Sequence, residues 1–192
     1  MNAAWRAQRI LAYPSVEWTA IDKEPGDAAY LLTSYVAVLA LIPAVFGFIG
    51  ACVIGVTVPG TGTVRATISD GLFGAVFGYV LTCATVLALG LLIDFLVPFF
   101  GGRRNFDSAF KLAVYSYTPV WLAGIFLLAP GLRFIGFVGF YGAYLLRIGL
   151  PQLMKVPAAQ VQAFAAVIVA CAFVLTVIVG VAQHALFGLP GF

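Results

Sequence analysis

An ionisable side chain, Asp94, lies inside a hydrophobic run that extends over residues 71–97. Acids inside membrane segments are rare, and they often relay protons or hold cations. The alternative is that a basic side chain neutralises the carboxylate and that the pair fixes how helices meet. The sequence offers no second intramembrane acid that would receive a proton from Asp94. We therefore favour the structural interpretation over a proton or cation site.

The partners that we expect for Asp94 are Arg147 and Lys111. Arg147 precedes a proline by four residues, as Asp94 does. At about 1.5 Å per residue, both side chains then lie roughly 6 Å from a helix end. Lys111, in the first turn of the third predicted helix, lies at a similar depth. Because an unpaired charge in hydrocarbon costs about 3 kcal/mol, we predict a buried charge pair that joins the second helix to the third or fourth.

A polar stretch interrupts another hydrophobic run, which extends over 109–129. Proline lacks the N–H that continues a helix, so we expect kinks and free carbonyl acceptors at Pro119 and, in the first run, at Pro43. Two kinked helices can line a cavity for a lipid head group or an ion. Packing is the other explanation for such kinks, and we favour it. The candidate cavity lining is Pro43, Tyr115, Ser116, Tyr117, Thr118 and Pro119.

Glycines recur at spacings that suit close helix packing. Gly74 and Gly78 are four residues apart in one run, and Gly136, Gly139 and Gly142 keep roughly to one face of another. Small residues at this spacing let helix backbones approach closely in lipid. The pattern does not distinguish packing within the chain from self-association.

Enzyme motifs are absent from the sequence. The single histidine, His184, cannot form a catalytic triad with nearby partners, and neither HExxH nor a Walker A lysine occurs. The three cysteines each lie in an apolar run without CxxC spacing, which indicates small hydrophobic residues and no metal site. We expect a protein without catalytic activity, metal or cofactor, and no basic stripe indicates a nucleic-acid partner.

Composition indicates what must position these residues. Of the 192 residues, 63% are hydrophobic and 9% charged, whereas a soluble domain carries roughly a quarter charged residues. Lipid must therefore solvate most of the chain, and helices satisfy their own backbone there. We predict an all-α integral membrane protein, a bundle of five transmembrane helices. The predicted spans are about 30–57, 71–97, 109–129, 132–150 and 159–181.

The basic residues predict an orientation for this bundle. Eight of them flank one side of the predicted spans and two, Arg65 and Arg133, flank the other. Cytoplasmic loops are enriched in Lys and Arg. We therefore expect a cytoplasmic N-terminus, an outer C-terminus with a short tail over 184–192, and a five-helix domain over 30–183. A bacterial inner membrane is the expected location.

The segment 1–29, called the head below, holds seven charged residues and no continuous apolar stretch, so it is not expected to be a signal peptide. Its mixture of tryptophan, arginine and aliphatic residues suits an amphipathic helix lying at the membrane surface. The candidate interfacial anchors are Trp5, Arg6, Arg9 and Trp18. The alternative, which does not exclude the first, is a head that folds back onto the helix bundle.

Three stretches together resemble the Yip1 family of membrane proteins, in its short bacterial form. They are RAQRILAYPSVEWTAIDKEP at 6–25, FKLAVYSYTPVWLAGIF at 110–126 and FYGAYLLRIGLPQLMKVP at 140–157. The resemblance implies five spans with a cytoplasmic N-terminus. Eukaryotic members are tied to vesicle traffic and Rab-type GTPases through a much longer head, so the 29-residue head argues against a GTPase partner.

Three functions remain open at this level. The first is a non-enzymatic scaffold or adaptor that contacts lipids, other membrane proteins or a second copy through its cytoplasmic face. That face would combine the head, the loop 101–107 and the loop 150–157. The second is a small transporter or channel with a cavity at the Pro43 and Pro119 kinks. The third is an accessory subunit of a larger membrane complex.

Overall fold

The computed structural model describes residues 3–58, 62–128 and 139–187. The head forms two short helices, α1 (Ala3–Ala12) and α2 (Pro14–Lys23), with Tyr13 between them. Pro14 begins α2, where its missing N–H costs no intrahelical hydrogen bond. The chain leaves α2 in an extended conformation at Glu24 and reaches the first long apolar stretch.

That first stretch, Ala28–Ile54, is a chain of short helical segments. It contains α3 (Ala28–Leu31), α4 (Ala37–Leu39) and α5 (Leu41–Phe48), with π-helical turns at Leu32–Val36 and Ile49–Ile54. Asp27 caps its start by accepting a hydrogen bond from the Tyr30 N–H at 2.8 Å. The stretch ends at a two-stranded antiparallel hairpin, β1 (Val56–Val58) and β2 (Gly62–Val64).

Three long helices and one shorter helix complete the described fold. Thr67 caps α6 (Ile68–Leu96), which continues as a 3-10 turn over Val97–Phe100. Asn105 caps α7 (Phe106–Ala123), which continues as a 3-10 turn over Gly124–Leu128. The last two helices are α8 (Gly139–Leu153) and α9 (Ala158–Phe187).

Helix α7 lies at the centre of the bundle. It packs between α6 and α8, and α9 packs against α6 and α8. The core contains α7 side chains such as Phe110, Leu112 and Trp121, together with Trp18 and Ile21 from the head. The outer faces are also apolar, with Phe73 of α6 and Phe173 of α9 exposed. Exposed aromatic side chains of this kind suit a bundle that lipid surrounds.

Four helical stretches are long and apolar enough to cross a bilayer, among the residues that the structure describes: Ala28–Ile54, Ile68–Phe100, Phe106–Leu128 and Ala158–Gln183. They correspond to the first, second, third and fifth predicted spans. The predicted fourth span, 132–150, lies partly outside the described residues. Its described part belongs to α8, whose 15 residues extend about 22 Å. The described residues therefore form an all-α membrane fold with one small hairpin, and four of its helical stretches are long and apolar enough to span a bilayer.

Candidate functional site

The head is folded onto the helix bundle. Trp18 is fully buried, with its ring edge-on to Tyr115 of α7 at a centroid distance of 6.1 Å. The Tyr141 hydroxyl of α8 donates to the Leu11 carbonyl at 2.7 Å. This is the alternative that the sequence left open for the head. The role of interfacial anchor is wrong for Trp18 and Arg6, which are both buried, because each finds a partner in the protein.

A buried ion-pair network holds α1 and α2 together. Glu17, 1% exposed, pairs through one oxygen with Arg6, 3% exposed, and through the other with Arg9 Nε at 2.7 Å. Arg6 also pairs with Glu24. Two cations therefore face two carboxylates, and the network is neutral as a whole. Removing one partner from such a buried pair leaves an uncompensated charge.

Arg6 also connects the network to the bundle. Its guanidinium lies over the Tyr115 ring, with Cζ 5.9 Å from the centroid, which is within cation–π range. Burial by itself would lower the pKa of Arg6, but the hydrogen bond to Glu24 and the nearby carboxylates raise it overall. A raised pKa means that the stabilisation by this charge is lost only at strongly basic pH. Arg6 therefore stays charged under ordinary conditions.

Arg9, by contrast, is partly exposed and stacks on Trp5 at 4.7 Å.

Lys111 of α7 binds the end of α2. Its Nζ donates to the carbonyls of Ile21 at 3.2 Å and Glu24 at 2.7 Å. Carbonyls in the last turn of a helix have no partner within the helix, and a cation there also interacts favourably with the helix dipole. Lys111 thus docks the head, and it does not form the predicted pair with Asp94.

The polar stretch of α7 is tied to the first span. The Tyr35 hydroxyl and the Thr118 hydroxyl lie 2.9 Å apart, and both side chains are buried. The Tyr35 and Tyr115 rings meet edge-on at 5.0 Å. One of the polar side chains that interrupt the hydrophobic run, Thr118, therefore bonds across the interface between the first span and α7.

A cleft opens between the head, the first span and α7, beside this network. It measures about 430 Å³. Arg6, Lys111 and Tyr115 line its inner side, and exposed Asp27 and Tyr30 line its rim. Charges of both signs therefore face one space of the size that small-molecule sites have.

Asp94 pairs with Arg104, and the predicted pair with Arg147 or Lys111 is wrong. Arg104 Nη2 and Nε lie 3.0 and 3.2 Å from Asp94 Oδ2. The reason is the loop after α6: Gly101 adopts φ +72°, which turns the chain back. Arg147 is exposed on α8 and lines a shallow groove with Pro151 and Gln162.

The two prolines at which kinks are predicted, Pro43 and Pro119, lie in different surroundings. Pro43 and Tyr117 line a second cavity, about 140 Å³, between α5, α6 and α9. Tyr115 faces the 430 Å³ cleft. Ser116, Thr118 and Pro119 are buried, and neither cavity has them in its described lining. The residues predicted to line one cavity are thus divided between two cavities and the core.

The glycines lie at several helix contacts. A Cβ on Gly142 would be 2.5 Å from the Ser116 carbonyl oxygen, so α8 and α7 approach there backbone to backbone. Gly78 contacts Gln183 of α9, and Gly74 lines the smaller cavity. Gly139 begins α8, and Gly136 lies outside the described residues. Gly149, which the pattern did not include, lies against Leu112 and Trp18.

Sequence reasoning missed the two carboxylates of the network. Glu17 and Glu24 are seven residues apart, and Arg6 and Arg9 are three apart. The spacing of three places Arg6 and Arg9 on the same side of α1, while Glu17 lies in α2 and Glu24 follows its end. Opposite charges on two short helices joined at Tyr13 were the available signal.

Comparison with known proteins adds a family. A model of the Yip1 domain matches residues 9–180. The chain is 29% identical, over 152 residues, to the inner membrane protein YohC of Escherichia coli K12, with 77% of each chain covered. The same figures hold for YohC of Escherichia coli O6:H1. No solved structure matches the chain significantly.

Proposed function

Because the chain belongs to the Yip1 family, we propose that it is a non-enzymatic scaffold of the bacterial inner membrane. It acts through contacts on the end of the bundle that carries the head. We call this end the platform: the head, the loop between α6 and α7 with the start of α7 (101–107), and the end of α8 with the loop after it (150–157). Lipids and other membrane proteins are its partners in this proposal.

The observation that carries the proposal is that hydrogen bonds join the three parts of the platform. The Arg103 N–H, in one loop, donates to the Met154 carbonyl, in the other, at 2.9 Å. Lys155 pairs with Asp22 of the head at 2.8 Å. Lys111, just past the first loop, donates to the Glu24 carbonyl. A surface whose parts are fixed to one another binds a partner with little ordering cost.

The topology within this proposal has five spans, with α8 and the residues before it as the fourth. The N-terminus and the platform are cytoplasmic, and the C-terminus is outside. The support is the distribution of basic residues, since Arg103, Arg104 and Lys155 belong to the platform and Lys111 adjoins it. The relatives' description as inner membrane proteins agrees with this location.

A small transporter is the second candidate, because Pro43 and Tyr117 do line a cavity. Its volume of about 140 Å³ is below the roughly 300–1,000 Å³ of typical ligand sites. Asp94 is 14% exposed, pairs with Arg104 and is not part of the described lining. These observations favour the scaffold. An accessory subunit of a larger complex would use the same platform.

Site-specific photo-crosslinking in cells tests the scaffold. A photoreactive residue replaces Phe99 or Arg103, both exposed on or beside the platform, and, as a lipid-facing control, Phe173 of α9. We expect protein adducts of discrete mass from the platform positions and lipid adducts from position 173. The platform adducts should disappear in a variant whose head is released, such as Gly149→Val. If the platform positions give only lipid adducts, or if Gly149→Val leaves the protein adducts unchanged, the scaffold proposal fails.

A further inference from the structure

We infer that the 430 Å³ cleft binds the head group of a zwitterionic phospholipid that carries a primary amine, such as phosphatidylethanolamine. The proposal names a ligand for a cleft that the head, one part of the platform, forms with the first span and α7. It rests on the proposed function only in taking the docked head as the functional state. The inference depends on the order of charges along the cleft, on its opening and on how its ionic groups are already partnered.

The charges of the cleft follow an order along the bundle axis. Asp27 lies at the start of the first span, where it caps α3. Lys111 lies five residues into α7, or about 7.5 Å from its start, and Tyr115 lies four residues, about 6 Å, further. Tyr35 meets Tyr115 at that inner level. From the helix ends inward, the cleft therefore presents the Asp27 carboxylate, then the Lys111 ammonium beside Glu24, then the aromatic rings. The Arg6 guanidinium lies at the level of the rings, where Glu17 and Glu24 pair with it.

A phospholipid seated between these helices has the complementary order. Its terminal ammonium lies outermost, its phosphate lies next, and its acyl chains point to the bilayer centre. The ammonium would meet Asp27, the phosphate would meet Lys111, and the first acyl carbons would meet the tyrosines and Leu31. The exposed side chain of Tyr30 at the rim shows that the cleft is open at the surface of the bundle.

Lys111 and Asp27 keep hydrogen-bonding positions that their present partners in the protein do not use. Lys111 donates to two carbonyls and has three N–H donors, so one remains for a phosphate oxygen. Asp27 accepts one backbone N–H through Oδ1, and a carboxylate has several acceptor positions. The positive charge of Arg6 is already paired with Glu17 and Glu24. Among the described lining residues, the fixed charges thus balance, which favours a zwitterion over an anion.

The cleft should prefer zwitterionic lipids with a primary amine to those with a trimethylammonium group. A primary ammonium donates three hydrogen bonds, and a trimethylammonium group donates none. A charge-assisted hydrogen bond to Asp27 is therefore available to phosphatidylethanolamine but not to phosphatidylcholine. A bond of this type corresponds to roughly a tenfold difference in affinity or more. Phosphatidylglycerol would bring a net negative charge beside Asp27 and Glu24.

Native mass spectrometry of the detergent-purified full chain tests this site. Phosphatidylethanolamine, phosphatidylcholine and phosphatidylglycerol with identical acyl chains are added separately at equal concentrations. We expect the first lipid to bind at least about tenfold more tightly than the other two. Equal binding of phosphatidylethanolamine and phosphatidylcholine would overturn the inference. That result would not contradict the scaffold proposal, because no partner protein is present in this measurement.

Asp27→Asn is the decisive variant. Asparagine is as good a helix cap as aspartate, so the fold should persist while the charge is lost. We expect the preference for phosphatidylethanolamine over phosphatidylcholine to fall to about twofold or less. The matched control is Asp70→Asn, which makes the same change in the first turn of α6, outside the described lining of the cleft. A preference that survives Asp27→Asn, or one that Asp70→Asn removes equally, would contradict the site.

Discussion

Glu17 pairs with two arginines through one carboxylate. Its oxygens face Arg6 and Arg9, and its side chain is almost fully buried. Buried ion pairs rarely add net stability compared with apolar residues of the same size, but losing one partner is costly. The network therefore specifies how α1 and α2 fold together more than it increases the stability of the chain.

Glu17→Gln should destabilise the protein strongly. Glutamine keeps the shape but removes the charge, so Arg6 keeps only Glu24 and Arg9 loses its carboxylate. We expect a loss of about 3–5 kcal/mol, measured by thermal unfolding in lipid nanodiscs. Asp22→Asn is the matched control, because its pair with Lys155 is exposed and should be worth about 0–1 kcal/mol. Similar losses of stability in the two variants would show that the buried network contributes no more than an exposed ion pair.

Asp94→Asn should have a small effect. Arg104 is 61% exposed, and a pair with such a partner contributes about 0–1 kcal/mol. Arg104→Gln should give the same small change in the unfolding temperature, and the two changes together should be no larger than either alone. A loss of several kcal/mol in Asp94→Asn alone would show that the carboxylate has another partner in the membrane-embedded protein.

At the scale of elements, three helices meet around Gly149. A Cβ at this position would lie 2.5 Å from Leu112 Cδ1 of α7 and 2.9 Å from Trp18 Cε2 of α2. Leu112 and Trp18 are fully buried, so neither side chain has free space beside it. The absence of a side chain at Gly149 is thus what allows the head to pack against α8 and α7.

Gly149→Val should release the head from the bundle. Valine adds three carbons where one already clashes, and the head is short and charged, whereas α7 belongs to a stretch long and apolar enough to cross a membrane. Trypsin should then cleave at Arg6, Arg9 or Lys23 at least about tenfold faster than in the wild type, since local opening exposes the sites. Arg147→Ala, on an exposed position of the same helix, is the control and should leave cleavage unchanged. Slow cleavage in both variants would mean that α8 shifts and the head stays docked.

At the scale of the whole molecule, the number of spans decides on which side each end lies. Five spans place the two termini on opposite sides of the membrane, and four place them on the same side. The described helices include four long apolar stretches, and α8 is shorter than the usual 20 or so residues. Residues before α8 would have to complete the fifth crossing.

Reporter fusions determine the topology directly. With five spans and the N-terminus inside, alkaline phosphatase fused after Phe192 should be active, because this enzyme matures only outside the cytoplasm. A green fluorescent protein fused at the N-terminus should fluoresce in the same cells. Inactive phosphatase at the C-terminus would show an even number of crossings, and the five-span proposal would be wrong.

Local properties of the sequence determined the class of this protein. Hydrophobic runs of about 20 residues predict helices in lipid wherever they occur, since backbone groups there must bond within their own segment. The predicted first, second, third and fifth spans agree with described helices to within a few residues. Three stretches of the sequence also resemble the Yip1 family, and the family model confirms this resemblance.

Only the tertiary structure decided which charged groups meet. The sequence predicts matching depths for Asp94, Arg147 and Lys111, but depth is one coordinate of three. The left-handed turn at Gly101 directs Arg104 to Asp94, and Lys111 instead donates a hydrogen bond to a carbonyl at the end of α2. The docking of the head likewise depends on contacts such as Leu11 with Tyr141, 130 residues apart in the chain. Hydrophobicity and spacing act over a few residues, whereas the choice among possible partners depends on where the folded backbone brings them.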